Sequence, residues 1–198
     1  MPTTDIQICN TAIARIGSTM FIESMSEASK HAQVCNLFYK HCLDQVLQDC
    51  PWKFARKTIP LQLLTDTVPG WEYVYSYPND CVKALRLVYA TGAPAAGTKI
   101  IYDIVSVGNG KAIVCNEPEM YLEYTKRVEN TSLFDAMFAS AFAWLLASEI
   151  STPLVADAKS AQSAMSAYKV TVSDALAASW NEGYEGQIPD SEFIRVRS

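Results

Sequence analysis

The sequence predicts an α+β protein: a mainly helical bundle with an antiparallel β-strand insertion between helices two and three and an extended C-terminal arm. Three observations predict it. Apolar residues recur at helical spacing through the first 50 or so residues and again over 131–180. Between them, residues 52–130 break into short runs rich in Val, Ile and Tyr, punctuated by Gly, Pro and Asn-Gly, as strands joined by turns do. After Asn181 all periodicity is lost. The 198 residues are 49% hydrophobic and 19% charged, enough to bury a core and far from the composition of disordered chains. A single domain, 1–198, is expected, with 1–51 and 131–180 as bundle, 52–130 as β-rich insertion and 181–198 as arm.

The first helix starts at Thr3 or Thr4, whose hydroxyl caps free N–H groups, presents Ile6, Cys9, Ile13 and Ile16 on one face, and closes at Gly17. Ser24-Met25-Ser26-Glu27 reads as a capping box that opens a long second helix. Its positions Ala28, Ala32, Cys35, Tyr39, Cys42 and Val46 alternate spacings of four and three, one stripe of a helix, and Pro51 ends it. In the insertion, Trp71, Tyr73, Tyr75 and Tyr77 alternate with Glu72, Val74 and Ser76, which places four aromatics on one face of a strand. Pro78-Asn79-Asp80 turns the chain. Residues 82–89 and 99–105 read as further strands, Val107-Gly108-Asn109-Gly110 as a hairpin turn into 111–115, and 120–126 as the last strand. Helix signals return at Thr131-Ser132. Residues 133–150 are apolar nearly all the way round, with Asp135 and Glu149 the only charges, so this helix is expected at the centre. Thr152-Pro153 then starts a fourth helix, in which Leu154, Ala158, Ala161, Met165, Tyr168, Val172 and Ala175 form an Ala-rich heptad seam.

Charge narrows the function. With 16 Lys+Arg against 21 Asp+Glu the net charge is −5, which argues against a nucleic-acid reader that gains affinity by neutralising phosphates. The six cysteines, 9, 35, 42, 50, 81 and 115, contain no C-x-x-C pair and fall in apolar patterns, as free buried thiols of a reducing compartment do. Met1-Pro2-Thr3-Thr4-Asp5 lacks the charge and apolar run of a signal peptide. The longest apolar stretch, 136–147, falls short of the ~20 residues of a membrane span, so no span is expected.

No residue constellation demands catalysis. His31, Cys35 and Cys42 share a helical face, and the i, i+4 spacing of His31 and Cys35 suits two ligands of one ion. A third and fourth ligand are missing, and the three read instead as core cysteines and a hydrogen-bonded edge histidine. There is no G-x-S-x-G elbow, His31 and His41 lie on one helix, and Gly108-x-Gly110 lacks the third glycine of a phosphate loop. Glu117, Glu119 and Glu123, with the Tyr stripe as a sugar platform, offer a glycosidase-like set of the kind nearly every protein carries. The stripe reads first as packing, as do Phe134, Phe138, Phe142 and Trp144. No catalytic residue, cofactor or metal is therefore expected. Phe193, Ile194, Arg195, Val196 and Arg197, at the end of a polar tail, cannot bury themselves locally. They either fray or order on a neighbour, and they are the candidate partner interface.

A series of short patterns runs through most of the chain in a fixed order. It opens with Ile8-Cys9-Asn10-Thr11-Ala12-Ile13-Ala14-Arg15-Ile16-Gly17, followed by Ala32-x-x-Cys35-x-x-x-Tyr39. Leu43-Asp44-x-Val46-Leu47 then leads to Trp52-x-Phe54-Ala55, and Trp71-x-Tyr73-x-Tyr75-x-Tyr77-Pro78-x-Asp80-Cys81 follows. Phe134-Asp135-Ala136, Leu145-Leu146-Ala147 and Pro153-Leu154 close the series. In these patterns the chain resembles the head-to-tail adaptor (connector) proteins of tailed bacteriophages, the tail tubular protein A type of short-tailed phages and prophages. The resemblance implies a structural virion protein, made in the host cytoplasm. About a dozen copies would form a ring between the portal ring and the tail nozzle protein, around DNA that passes without sequence-specific binding. An acidic channel wall would favour that passage. It implies no catalytic residue. Two other functions stay open: a tail-associated cell-wall or polysaccharide hydrolase using Glu117, Glu119 and Glu123, and a tail-completion or neck protein of a long-tailed phage.

Overall fold

The computed structural model describes residues 4–90 and 100–181. Helices α1 (Asp5–Arg15) and α2 (Lys30–Asp49) come first, then strands β1 (Arg56–Pro60), β2 (Tyr73–Ser76), β3 (Cys81–Tyr89), β4 (Tyr102–Val107), β5 (Gly110–Cys115) and β6 (Met120–Lys126). Helices α3 (Ala136–Val155) and α4 (Ala158–Asn181) complete the chain. The fold is thus mainly helical, with a six-stranded antiparallel insertion between the second and third helices, as the sequence predicts.

Thr4 is the first cap. Its hydroxyl accepts the Gln7 N–H at 3.2 Å while the Gln7 side chain accepts the Thr4 N–H at 3.1 Å, which satisfies two of the free donors of α1. The second helix begins later than the Ser24 box predicts. Glu27 does turn back, its Oε2 accepting the N–H of Glu23 at 2.9 Å and of Ser24 at 3.4 Å. The Ser24 hydroxyl, however, accepts the Ser26 N–H at 3.2 Å, the i+2 pattern of a local turn. The cap is Ser29, which accepts the Ala32 N–H at 3.1 Å. Ala28 therefore stays exposed ahead of the helix, whereas Ala32, Cys35, Cys42 and Val46 are buried and Tyr39 is half-buried.

The central position expected of the third helix is what α3 occupies: it packs against α1, α2 and α4. Asp135 caps it, Oδ1 accepting the Phe138 N–H at 2.6 Å. The helix runs twenty residues, past Pro153, and so becomes long and apolar enough to cross a membrane by length and composition, which its apolar run alone did not predict. More than half of it is buried in this fold. Pro153 does not open the fourth helix. It sits in the last turn of α3, where its ring costs a single intrahelical hydrogen bond. The break falls at Ala156, in the left-handed conformation at φ 52, with its N–H on the Thr152 carbonyl. Asp157 starts α4 by accepting the Lys159 N–H at 2.9 Å and the Ser160 hydroxyl at 2.6 Å. Leu154 consequently belongs to α3 and Ala158 is exposed; the buried seam of α4 is Ala164, Tyr168, Val172 and Ala175.

The strands form two three-stranded sheets, ordered β1-β6-β3 and β2-β5-β4. Leu87, Met120, Leu122 and Tyr124 of the first sheet share one core with Tyr75, Ile113 and Cys115 of the second. β1 was not predicted as a strand: Arg-Lys-Thr-Ile-Pro shows no alternation because it pairs with β6 on one side only and exposes four of its five residues. The hairpin turn stands where the sequence places it, but the positive φ, 55°, belongs to Gly108 while Gly110 already pairs with Val107. Tyr73, Tyr75 and Tyr77 share the inter-sheet core as expected. Trp71 does not, because β2 begins only at Tyr73, after a turn at Gly70 (φ 88). Trp71 instead packs with Leu64 and Val68 against Val74, Ala112 and Val114 on the opposite face.

Polar contacts lock the insertion to the bundle. Arg127 donates through Nε to Asp44 of α2 at 2.8 Å, and the Lys83 ammonium donates to the Gln48 carbonyl at 2.7 Å. Inside the insertion, Asp80 accepts the Tyr124 hydroxyl at 2.7 Å and the Lys57 ammonium at 2.9 Å. Burial pushes the Asp80 carboxyl up, but these two donors outweigh it and hold it below its ordinary range. A carboxyl depressed in the folded state contributes stability above its unfolded pKa and loses it as pH falls through the folded value. Asp80→Asn is expected to cost about 1 kcal/mol at neutral pH, the strength of a charged hydrogen bond reduced by the half-exposed setting. In urea titrations repeated from pH 7 downward, the gap to the parent protein should close on the acid side. A gap that stays constant to pH 2.5 would sink this account.

Candidate functional site

Three places carry the residues singled out in the sequence. The first is the carboxylate trio with its tyrosines. Glu123 lies at the middle of β6, on the face away from the inter-sheet core, with its side chain 11% exposed. Arg86 of β3 reaches its Oε2 at 2.8 Å and Arg56 of β1 its Oε1 at 3.3 Å, so both oxygens are held by guanidiniums of the flanking strands. A carboxylate pinned in this way is poorly placed to transfer a proton or attack a sugar. Glu119 is exposed in the β5–β6 turn, and Glu117 lines a cavity of about 310 Å³ with Trp71, Tyr89, Ile100 and Asn116. Tyr75 is buried among the sheets, its hydroxyl donating to the Glu117 carbonyl at 3.0 Å. The three tyrosines therefore face the inter-sheet core, whereas Trp71 alone of the stripe lines the cavity beside Glu117.

The second place is the His31, Cys35 and Cys42 face of α2. The two cysteines are fully buried, while the His31 Nε2 lies 3.2 Å from the Ser18 hydroxyl on the bundle's edge. Among the described residues no group of three His, Cys, Asp or Glu is arranged to hold a metal ion. Burial pushes Cys42 up to about 12 and Cys50 up to about 11; Cys9, hydrogen-bonded to the Cys35 sulfur and desolvated, is pushed up, while the same hydrogen bond lowers Cys35. Cys81 alone among the six is not fully buried.

The third place is the end of the bundle where α4 stops. Phe193, Ile194, Arg195, Val196 and Arg197, the candidate partner interface, lie outside the described residues, as does the rest of the arm beyond Asn181. What the structure does show is the surface beside the arm's root. A groove of about 430 Å³ opens between the 50–54 segment, the start of α3 and the last turns of α4. Cys50, Trp52 and Phe54 line it on one side, Met137 on a second, Ala175 and Ala178 on a third, with Asp135 and Lys53 also in its wall. Trp52 is fixed there by its indole N–H, which donates to the Val46 carbonyl at 2.7 Å, and by an edge-on contact with Phe138 at 5.1 Å. Tyr168 ties α4 to α2 nearby, its hydroxyl donating to Asp49 at 2.6 Å. Sequence reasoning missed this groove: its wall comes from three separated segments, and the only signals are a Trp-x-Phe after a helix-ending proline and alanines late in α4.

A further feature not legible in the sequence is Arg15. Its guanidinium stacks on the Trp144 ring at 3.9 Å and donates to the Ser140 carbonyl at 2.8 Å, pinning the end of α1 to α3. Charge is also unevenly spread. Residues 52–130 are nearly balanced, 9 Lys+Arg against 8 Asp+Glu, so the surplus of acid lies on the helical segments and the tail.

Compared with known proteins, the chain matches no family model and no curated protein.

Proposed function

We propose that the chain is a structural head-to-tail adaptor of a tailed-phage particle, assembling as a ring between portal and tail nozzle, without catalytic activity of its own. The observation that carries the reading is where the resembling residues lie. Ile8, Cys9, Ala12, Ile13 and Ile16, then Ala32 and Cys35, Leu43, Val46 and Leu47, Trp52, and Phe134 with Leu145 and Leu146 all belong to one buried core. Most of the resembling patterns thus build this bundle and the one at 71–81 packs the insertion, as expected if what is shared is a scaffold and not a reaction centre. The pinned Glu123 and the inward-facing tyrosines speak for the adaptor over the hydrolase. In the assembled ring the acid-rich helical segments would line the DNA path, where like charge keeps the duplex from sticking.

Mixing the purified protein with portal rings encoded by the same genome, and counting bound copies by native mass spectrometry, tests the reading. Saturation at one fixed, symmetric stoichiometry is the expected result. Failure of the folded protein to bind would overturn it and turn attention to activity on cell-wall material. The arm should carry the docking. Ending the chain after Asn181 is expected to leave the circular dichroism spectrum unchanged and to weaken portal binding by about a hundredfold or more, the loss typical of removing an aromatic and an arginine anchor together. Undiminished binding by the shortened chain would remove Phe193 to Arg197 from the interface.

A further inference from the structure

The groove at the end of α4 has an apolar wall and stands beside the point where the described residues end. We propose that this groove receives the protein's own C-terminal segment, Ile188 to Ile194, folded back from the end of α4 in the unassembled chain. The inference does not depend on the adaptor reading.

Reach is the first argument. The groove's α4 wall, Ala175 and Ala178, lies within two turns of Asn181, a distance of about 9 Å at 1.5 Å per residue. Seven residues from Asn181 to Ile188 span up to about 23 Å when extended, ample to reverse and return. Gly183 and Gly186 fall where the reversal is needed, and glycine is the residue that follows helix ends because it turns at no steric cost. Chemistry is the second. Trp52, Phe54, Met137 and the two alanines present a wall suited to Ile188, Phe193 and Ile194, and Met137 is 37% exposed. The exposed Asp135 carboxylate in the wall suits the Arg195 that follows these residues. Concentration is the third. A tether this short gives an effective concentration of about 1 mM, so an intrinsic dissociation constant of about 0.1 mM fills the groove about ten times out of eleven. A second copy at micromolar concentration does not compete. Where the adaptor reading holds, the portal and the groove bind the same residues, and the free protein keeps its arm covered until a portal displaces it.

Hydrogen exchange followed by mass spectrometry on the full chain tests the proposal. Amides of 188–194 are expected to exchange about tenfold more slowly than in the double variant Phe193→Ser, Ile194→Ser. Ala178→Leu, which fills the groove, should abolish the protection too, and trypsin should then cut after Arg195 correspondingly faster. Exchange at the unprotected rate in the parent chain overturns the proposal, as does protection that survives the double variant. Protection that grows with protein concentration overturns it in favour of a second copy as the occupant. Should Ala178→Leu fail to fold, the tail variant alone decides. None of these readouts involves a portal, so a failure here is separate from a failure of the adaptor reading.

Discussion

Phe138→Ala is expected to destabilise the protein by about 3–5 kcal/mol, a large part of the ~5–15 kcal/mol that holds a domain folded. Phe138 is fully buried in the first turn of α3. Its ring meets Trp52 at 5.1 Å, Phe54 at 5.0 Å, Phe134 at 4.5 Å and Phe142 at 6.0 Å. Truncation removes the apolar area of one aromatic, the edge-on contacts of its neighbours, and leaves a hole that α3 cannot collapse because it is held by helices on three sides. The urea midpoint of the purified variant reads the effect. Val170→Ala, at 61% exposed on α4, is the control and should stay within about 0.5 kcal/mol of the parent. A Phe138→Ala midpoint within the same margin would mean that the aromatic cluster does not organise the bundle.

Glu123→Gln is expected to cost about 2–3 kcal/mol. Removing one partner of a fully buried pair costs about 3–5 kcal/mol. Here the Arg56 and Arg86 side chains are 40% and 59% exposed, so water takes back part of what the carboxylate gave them and the figure falls. The variant keeps the shape and one acceptor of Glu123 but leaves two guanidiniums facing each other across β6. Its value lies in separating two roles. A carboxylate that joins three strands shows its loss in the urea midpoint, whereas a catalytic acid shows its loss as turnover in a protein of unchanged stability. A Glu123→Gln protein as stable as the parent would remove the structural role assigned to this residue.

The helices were legible because each carries a repeating stripe bounded by chemical punctuation. Thr4, Gly17 and Pro51 end or begin helices in the structure as they do in the sequence. The misplacements fall where local signals compete, are absent or run past the element they mark. Ser24 and Ser29 are both good caps, and the Ser24 hydroxyl is instead taken up by the Ser26 N–H that donates to it, which leaves Ser29 as the cap. Pro153 is accommodated in the last turn of α3, and the stop comes at Ala156 through a left-handed backbone that an alanine does not announce. Trp71 fits an alternation that the strand does not extend far enough to enforce. β1 was invisible because an edge strand paired on one side carries no apolar period. The groove and the Glu123 pairings were beyond reach altogether. They depend on which strands are neighbours and which helix ends meet, a matter of long-range pairing that no local pattern encodes.

The bond from Arg15 to Ser140 joins residues 125 positions apart. α1 and α2 both rest on α3, yet α3 lies on the far side of the whole insertion, so neither can bury its stripe until the strands have been synthesised. Pairing β1 to β6 first brings residues 56 and 125 together and shortens the loop that must close to join α2 to α3. The insertion then acts as a kinetic staple, trading one long closure for two shorter ones. Topologies ruled by such distant contacts fold slowly and leave apolar helices exposed while they wait. On this account, substitutions that weaken the β1–β6 pairing should slow the appearance of the bundle even though no helix is touched.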